Sequence, residues 1–175
     1  MKFLPLITEE EIKKRVAELS VEIKNDFAGK EPVFVGILNG CFPFLADLIR
    51  HLDINCNIDF MRLRSYGAST ETTGVVEITA ELQRSIVGRD VIVVEDIVDT
   101  GLTMAYIMEN LKTRRPDNIK ICVLLDKPAR RLVDIKLDYV GFTIPDKFVV
   151  GYGLDYEERY RNLPFITVYE DEKPL

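Results

Sequence analysis

Short apolar runs alternate with segments of helical periodicity, and this alternation most constrains how the chain can fold. The runs are PVFVGIL (32–38), DVIVVED (90–96) and NIKICVLLD (118–126). Continuous apolar runs of this length are typical of strands covered on both faces. Joining such strands through helices requires right-handed crossovers. The sequence therefore predicts an α/β fold, with a mainly parallel twisted sheet flanked by helices.

The remaining elements follow from the same periodicities. Helices are predicted over residues 8–27, 43–52 and 101–114, and further strands over 56–66, 74–82, 138–144 and 165–169. Thr8 and Glu11 have the spacing of a capping box at the start of the first helix. The polar segment SYGASTETTG (65–74) lies between two strands and is too long for a tight hairpin. It is predicted to be an ordinary surface loop or a mobile lid.

Composition narrows the class of protein. The 175 residues suit one domain, and 47% hydrophobic with 30% charged residues indicate a globular chain. A net charge of −6 provides no general attraction for nucleic acid or membranes. The three cysteines have no CxxC spacing, and the N-terminus is too charged for a secretion signal, so a cytoplasmic location is predicted. The single histidine, His51, is expected at a helix end.

One predicted strand ends in a group of charges. In VIVVEDIVDTGLTM (91–104), apolar residues lead directly into Glu95 and Asp96. Ligands of open α/β sheets bind beyond the carboxyl ends of the strands. Adjacent carboxylates at such a position can accept hydrogen bonds from the vicinal hydroxyls of a ribose, and can attract Mg²⁺ through water.

The Asp-Thr-Gly-x-Thr that follows favours a phosphate. It opens a predicted helix, whose first turn offers unpaired N–H groups and partial positive charge. Thr100 and Thr103 add hydroxyl donors, and Gly101 allows the backbone to approach closely. An alternative is that Asp99 or Thr100 simply caps the helix. A phosphate site beside a diol site favours a binding function for the whole string.

The string resembles the phosphoribosyl pyrophosphate (PRPP) motif of type I phosphoribosyltransferases. The Glu-Asp form with Asp99 is similar to that of the hypoxanthine-guanine branch. Further segments resemble that branch in the same order along residues 30 to 164, namely LNGCFPFLADL, RLRSYG, LLDKPARR and DYVGFTIPDKFVVGYGLDYEERYRNLP. On these segments the chain is identified as a member of the hypoxanthine(-guanine) phosphoribosyltransferases.

The resemblance implies a reaction and an architecture. A 6-oxopurine attacks C1 of PRPP through N9, giving a nucleoside monophosphate and pyrophosphate, with Mg²⁺ as the cofactor. It implies a single domain over residues 1–175, with a core at about 30–145 and a small hood from about 1–30 and 146–175. A homodimer or homotetramer is expected from the family alone.

The resemblance also implies roles for individual residues. The 5′-phosphate cradle is Asp99, Thr100, Gly101, Leu102 and Thr103, with Glu95 and Asp96 on the ribose. Asp99 would be the catalytic residue, assisting proton transfer at N7 of the base. The expected purine-binding residues are Lys127, Phe148, Val149 and Asp155. Lys127 would donate to O6, which selects 6-oxopurines because the amino group of adenine cannot accept that bond.

Pyrophosphate and metal complete the implied site. The expected pyrophosphate residues are Asn39, Gly40, Arg131 and Arg161, with Arg131 supporting the pyrophosphate loop. Ser65 and Tyr66 would belong to the loop that closes over the site. Asp155 would meet a Mg²⁺ ion, and Glu95 and Asp96 would attract one through water.

One position departs from the family pattern, and three alternative functions stay open. The pyrophosphate loop usually reads Leu-Lys-Gly, with a peptide bond after the leucine that can be cis, whereas here Asn39 replaces the lysine and brings no charge. An RNA-binding regulator on the same fold would need a basic face, which the net charge disfavours. The sequence does not distinguish a hypoxanthine-guanine enzyme from a relative that prefers xanthine. A receiver-type phosphorylation pocket would leave the Thr-Gly-x-Thr and C-terminal segments without a purpose.

Overall fold

A six-stranded sheet forms the centre of the protein in the computed structural model, which describes residues 4–66 and 75–170. The nine strands of the described chain are β1 Pro5–Ile7, β2 Val33–Leu38, β3 Asn57–Tyr66, β4 Val75–Ala80, β5 Asp90–Val98, β6 Asn118–Asp126, β7 Tyr139–Thr143, β8 Val149–Val150 and β9 Ile166–Val168. The main sheet has the order β4-β3-β2-β5-β6-β7. All of its pairings are parallel except that of β3 with β4. The predicted α/β fold class is confirmed.

The helices cover both faces of this sheet. They are α1 Glu9–Asp26, α2 Phe42–His51 and α3 Leu102–Thr113, and a short 3-10 helix spans Pro128–Arg130. The first two helices share one buried cluster with Phe34 and Ile92, and α3 shares the cluster on the opposite face with Val35 and Val93. The alternating side chains of β2 and β5 therefore enter two separate cores, which explains their uninterrupted apolar sequence.

Local sequence signals for the helices are confirmed. The Thr8 hydroxyl accepts from the backbone N–H of Glu11 at 3.2 Å, and the Glu11 carboxylate accepts from the N–H of Thr8 at 2.8 Å. These two bonds form the predicted capping box. His51 is the last residue of α2, and its Nδ1 lies 2.8 Å from the carbonyl oxygen of Asp47.

Two short strands were not predicted, and they assemble a second sheet. β1 and β8 both pair antiparallel with β9, giving the order β1-β9-β8. Strands of two or three residues carry too little periodicity to be recognised from sequence. The division into core and hood at about residues 30 and 145 stays a prediction. Helix α1 lies before that boundary and packs on the main sheet.

Within residues 4–66 and 75–170, no helix is both long enough and apolar enough to cross a bilayer.

Candidate active site

The turn between β5 and α3 has the geometry of an anion cradle. Gly101 is the N-cap of α3 with φ +86°, and a side chain there would crowd Arg131 and the carbonyl oxygen of Val133. A glycine is required for both reasons. A small cavity of about 100 Å³ borders Glu95, Asp99, Thr100 and Thr103 among its lining residues. The N-cap Gly101 offers no side-chain acceptor, and among the described side chains only the Thr100 hydroxyl approaches the first N–H groups of α3, at 3.4 Å, so this helix end remains available to an anion.

The alternative interpretation of Asp99 and Thr100 as helix caps is wrong. The N-cap position belongs to Gly101, and within the described chain no side chain makes a capping bond there. Thr100 contributes only a long contact of 3.4 Å, in which its hydroxyl accepts from the N–H of Leu102. The Asp99 carboxylate is instead paired with Lys127 and Arg130.

Asp99 lies beside a buried lysine. The Lys127 side chain is almost fully buried, with the residue 5% exposed, and its Nζ is 3.7 Å from Asp99 Oδ2 and 3.3 Å from Asp146 Oδ1. The backbone N–H of Lys127 donates to the carbonyl oxygen of Val98 at 3.0 Å, which fixes the start of its side chain against β5. Asp99 Oδ1 is buried and has no hydrogen-bond partner among the described residues. A buried acceptor without a partner is costly, and it indicates a place where a ligand completes the bonding.

Glu95 and Asp96 stand at the carboxyl end of β5. Glu95 is 8% exposed, and its Oε1 accepts from the N–H of Asp96 at 3.0 Å. The Asp96 carboxylate accepts from the N–H of Ile97 at 2.9 Å. Burial, followed by the neighbouring Asp96 carboxylate, raises the pKa of Glu95 well above its usual value. The pair therefore holds closely spaced acceptors, of which Asp96 is the more accessible.

The pyrophosphate loop touches this acidic pair. The Leu38–Asn39 peptide bond is cis, as the resemblance allows. A side chain at Gly40 would overlap the Asp96 carboxylate, and one at Gly153 would overlap the carbonyl oxygen of Gly40. Because glycine has no side chain, the backbone at Gly40 can lie directly against the Asp96 carboxylate and against Gly153. The Asn39 amide oxygen accepts from Arg62 Nη2 at 2.8 Å.

Arg161 and Asp155 lie next to this junction. Arg161 Nη1 donates to the carbonyl oxygen of Gly153 at 2.8 Å, and its Nη2 is 2.8 Å from Asp155 Oδ1 and 3.2 Å from Glu158 Oε2. The structure thus brings Arg161 close to Gly40 through Gly153. The predicted neighbourhood of Asn39, Gly40 and Arg161 is assembled, although these contacts do not test their roles.

Arg131 bonds the backbone at the end of β5. Its Nε donates to the carbonyl oxygen of Asp99 at 2.9 Å, its Nη2 donates to that of Val98 at 3.3 Å, and it pairs with the Asp126 carboxylate. These bonds form because the segment after β6 folds back beside the end of β5, its parallel neighbour. They hold the turn at the end of β5 and none of them reaches the Asn39–Gly40 loop, so the pyrophosphate role of Arg131 stays a prediction.

Phe148 is an exposed aromatic ring on an aromatic support. It is 54% exposed, and Tyr156 and Tyr169 contact it edge to face at centroid distances of 5.9 and 6.1 Å. Tyr156 and Tyr169 stack on each other at 4.3 Å. Val149, the next residue, is buried in β8. A large ring held by its edges yet open to solvent is suited to stacking on a planar ligand.

The carboxylates fit a metal ion that arrives with its ligand. Among the described residues, no group of three or more metal-ligating side chains is close enough to hold an ion alone. Asp155 is engaged by Arg161 and by the N–H of Glu158 at 2.9 Å, while the Asp96 carboxylate is partly exposed beside Gly40. Mg²⁺ commonly keeps several waters and takes one or two carboxylates plus substrate phosphate oxygens. Asp96 and Asp155 therefore suit a metal carried by the substrate.

The predicted lid falls largely outside the described residues. Residues 67–74 are not described, and the backbones of Ser65 and Tyr66 pair with those of Val76 and Val75. The mobile-lid hypothesis for Ser65 and Tyr66 stays a prediction.

Several residues at the site were missed by sequence reasoning. Arg130 Nη1 lies 3.3 Å from Asp99 Oδ2, Asp146 pairs with Lys127, and Arg62 bonds Asn39. Arg130 follows Lys127 in the KPARR run, so proximity along the chain could have suggested it. Arg62 and Asp146 lie in two of the segments quoted for the resemblance, but their contacts with Asn39 and Lys127 depend on strands and loops distant in the chain.

Known proteins match this arrangement over nearly its whole length. Residues 7–157 match the phosphoribosyl transferase domain family. A hypoxanthine-guanine phosphoribosyltransferase from Bacillus subtilis (strain 168) is 52% identical over 163 residues, covering 93% of this chain and 91% of the relative. One from Lactococcus lactis subsp. lactis (strain IL1403) is 48% identical over 167 residues, covering 95% of this chain and 91% of the relative.

A solved structure shares the fold. The crystal structure of a hypoxanthine-guanine phosphoribosyltransferase from Bacillus anthracis, with a HEPES molecule in its active site, superposes with a TM-score of 0.92. It is 48% identical, and the match covers 97% of this chain and 100% of that one. Taken with the PRPP motif at the end of β5, these similarities show that the chain belongs to the hypoxanthine-guanine phosphoribosyltransferases of the phosphoribosyltransferase family.

Proposed function

We propose that the protein transfers the 5-phosphoribosyl group of PRPP to N9 of hypoxanthine or guanine, releasing pyrophosphate with IMP or GMP. This is a purine-salvage reaction. The observation that carries the proposal is the ion pair of Asp99 with the buried Lys127, next to the N-terminus of α3. One acceptor atom of Asp99 lacks a partner among the described residues, so a ligand with a donor completes the site.

Lys127 and Asp99 contact the same edge of the base, where O6 and N7 are neighbours, in keeping with the 3.7 Å between their charged groups. The Lys127 ammonium donates to O6 of an oxopurine and has no acceptor for the amino group of adenine. As the N9–C1 bond forms and the bond from C1 to pyrophosphate breaks, N7 loses its proton, and the Asp99 carboxylate accepts it. The open ring of Phe148 stacks on the purine, and the backbone of Val149 meets its edge.

The sugar and phosphates occupy the remaining surfaces. The 5′-phosphate binds the first N–H groups of α3 and the hydroxyls of Thr100 and Thr103. Glu95 and Asp96 accept from the ribose hydroxyls, and Asp96 favours the positive charge that develops on C1. Arg161 and the Asn39–Gly40 loop bind pyrophosphate. Arg131 is proposed to support this binding indirectly, since its contacts hold the phosphate cradle.

Mg²⁺ is the proposed cofactor. It would be held by Asp155, with Glu95 and Asp96 acting through water, together with oxygens of PRPP. When bound it supplies positive charge that offsets the charge of the pyrophosphate leaving group. The protein groups then orient the ribose and the base about C1.

Location and assembly stay proposals drawn from the sequence and the family. Cys41, Cys56 and Cys122 are free thiols, which supports a reducing compartment such as the cytoplasm. A homodimer or homotetramer is proposed from the family alone, with no nucleic-acid or membrane partner.

The experiment is a Mg²⁺-dependent assay with PRPP and each of hypoxanthine, guanine, xanthine, adenine and uracil. Turnover of hypoxanthine and guanine, with little or none of adenine and uracil, is the expected result. An Asp99→Asn variant should lose most of that turnover, which assigns it to this site. A preference for xanthine would revise the substrate. Binding of PRPP without turnover of any base would overturn the function and favour a regulatory role for the fold.

A further inference from the structure

The loop that lacks the usual lysine is contacted by an arginine from the neighbouring strand. Arg62 of β3 is in parallel register with Leu38, the last residue of β2. This register brings its side chain over the loop, where Nη2 donates to the Asn39 amide oxygen at 2.8 Å. Asn39 therefore acts here as an acceptor that orients a guanidinium group. A lysine at position 39 has no acceptor and would repel Arg62.

The two residues line a cavity that carries excess positive charge. The cavity has a volume of about 560 Å³, and among the described residues its wall includes Arg62, Arg64, Arg161 and a single carboxylate, that of Glu158. Arg161 is already engaged by Asp155 and Glu158. Within the described ranges, 4–66 and 75–170, Arg62 bonds a neutral amide and forms no ion pair with a carboxylate. Its charge remains available to an anionic ligand.

The remaining donors of Arg62 match a phosphate group. A guanidinium has five N–H donors in a planar fork, and the bond to Asn39 uses one of them. The fork geometry suits bidentate contact with phosphate oxygens. Arg161 lies on the same cavity wall, where its Nη1 donates to the carbonyl oxygen of Gly153. Gly153 in turn lies directly against Gly40. The cavity thus joins the pyrophosphate loop and Arg161 on one side to Arg62 on the other.

We propose that Arg62, oriented by Asn39, is a pyrophosphate-binding residue that supplies the positive charge missing from the loop of this chain. The inference rests on the proposed function, because pyrophosphate is the leaving group of that reaction. In this arrangement a neutral residue of the loop, Asn39, acts together with a cation on β3, Arg62.

The test measures the reverse reaction, in which IMP and Mg²⁺-pyrophosphate form PRPP and hypoxanthine. Arg62→Met should raise the KM for pyrophosphate roughly tenfold or more, because a hydrogen bond to a charged group is lost. The KM for IMP should stay within about a factor of two. A general loss of active-site structure would instead raise the KM values for both substrates. Arg84→Met is the matched control, because Arg84 is exposed and, in the described chain, only its backbone N–H is bonded, to Asp59. It should change neither constant.

A second variant separates charge from structure. Asn39→Lys in the Arg62→Met background returns one cation to the loop, and should bring the pyrophosphate KM back to within roughly threefold of the wild-type value. If Arg62→Met fails to fold, Arg62→Lys keeps the charge without the fork, and is expected to raise that KM by a smaller factor. An unchanged pyrophosphate KM in the Arg62 variants, equal changes in both constants, or no recovery in the double variant overturns the inference alone. Absence of any turnover by the wild-type protein overturns the proposed function as well.

Discussion

Two lysines near the two ends of β6 meet carboxylates in different ways. Near the amino end, Lys120 Nζ is 2.7 Å from Asp26 Oδ2 and 3.1 Å from the Tyr139 hydroxyl, which itself donates to Asp26 at 2.6 Å. Each polar group of this cluster has a short bond to a protein partner. The cluster joins the last residue of α1 to the main sheet.

Lys127, directly after the carboxyl end, is more buried and less well paired. Its distances to Asp99 and Asp146 are 3.7 and 3.3 Å, and Asp99 Oδ1 has no partner in the part of the chain that the structure describes. A buried ammonium normally needs compact pairing to offset the loss of water. At the amino end of the strand the polar groups are paired within the protein, whereas at the carboxyl end an acceptor is left for a ligand to complete. Open α/β sheets generally bind ligands at that end.

Replacing the two aspartates tests this contrast with the largest expected effect. Asp99→Asn should lower kcat about 10²- to 10⁴-fold, because an amide cannot accept the N7 proton. Asp26→Asn makes the same chemical change in the structural cluster, and should leave kcat unaltered. Steady-state kinetics of both variants with PRPP and hypoxanthine provide the measurement. Equal loss of kcat in the two variants would remove the distinction between the clusters.

Replacing Lys127 should reduce activity, whereas replacing Lys120 should reduce thermal stability. Lys127→Met should lower kcat/KM for hypoxanthine roughly ten- to a hundredfold, since a bond from a charged donor to O6 is lost. Its thermal stability should be unchanged or higher, because a poorly paired buried charge is removed. Lys120→Met should preserve kcat/KM and lower Tm by a few degrees, about 1 kcal/mol of unfolding free energy.

Those two lysine variants would be compared by calorimetry and by substrate competition. Discrimination against adenine should relax in Lys127→Met and stay intact in Lys120→Met. A Lys127→Met protein that retains full selectivity would assign base recognition to other groups, such as the backbone around Val149.

The smallest expected effect is a pH dependence of the structural cluster. The hydrogen bond from Lys120, followed by that from Tyr139, lowers the pKa of Asp26 below its usual 3.8. A depressed pKa in the folded state means that its stabilising contribution is full above about pH 4 and is lost as pH falls through the folded pKa. Urea unfolding of wild type and Asp26→Asn should therefore differ by about 1 kcal/mol or less at pH 7. A difference that grew as the pH fell below about 4 would contradict this linkage.

Local sequence predicted the elements that form through local interactions. The capping box of Thr8 and Glu11, the apolar strands and the helix beginning near Gly101 are set by residues close in the chain. The motif at the end of β5 also located the turn into α3 that is proposed to bind phosphate, because a strand, a turn and a helix start are contiguous. β1 and β8 escaped prediction, since their few residues become strands only by pairing with β9.

The α/β class, the family and the acidic end of β5 follow from the sequence alone. The tertiary structure was needed to show that Gly101 rather than Asp99 is the N-cap of α3, that Arg131 bonds the carbonyl oxygen of Asp99 and that Arg62 reaches Asn39. The physical reason is distance along the chain. Periodicity and capping act over a few residues, whereas strand register brings together side chains such as Asn39 and Arg62, which lie 23 positions apart.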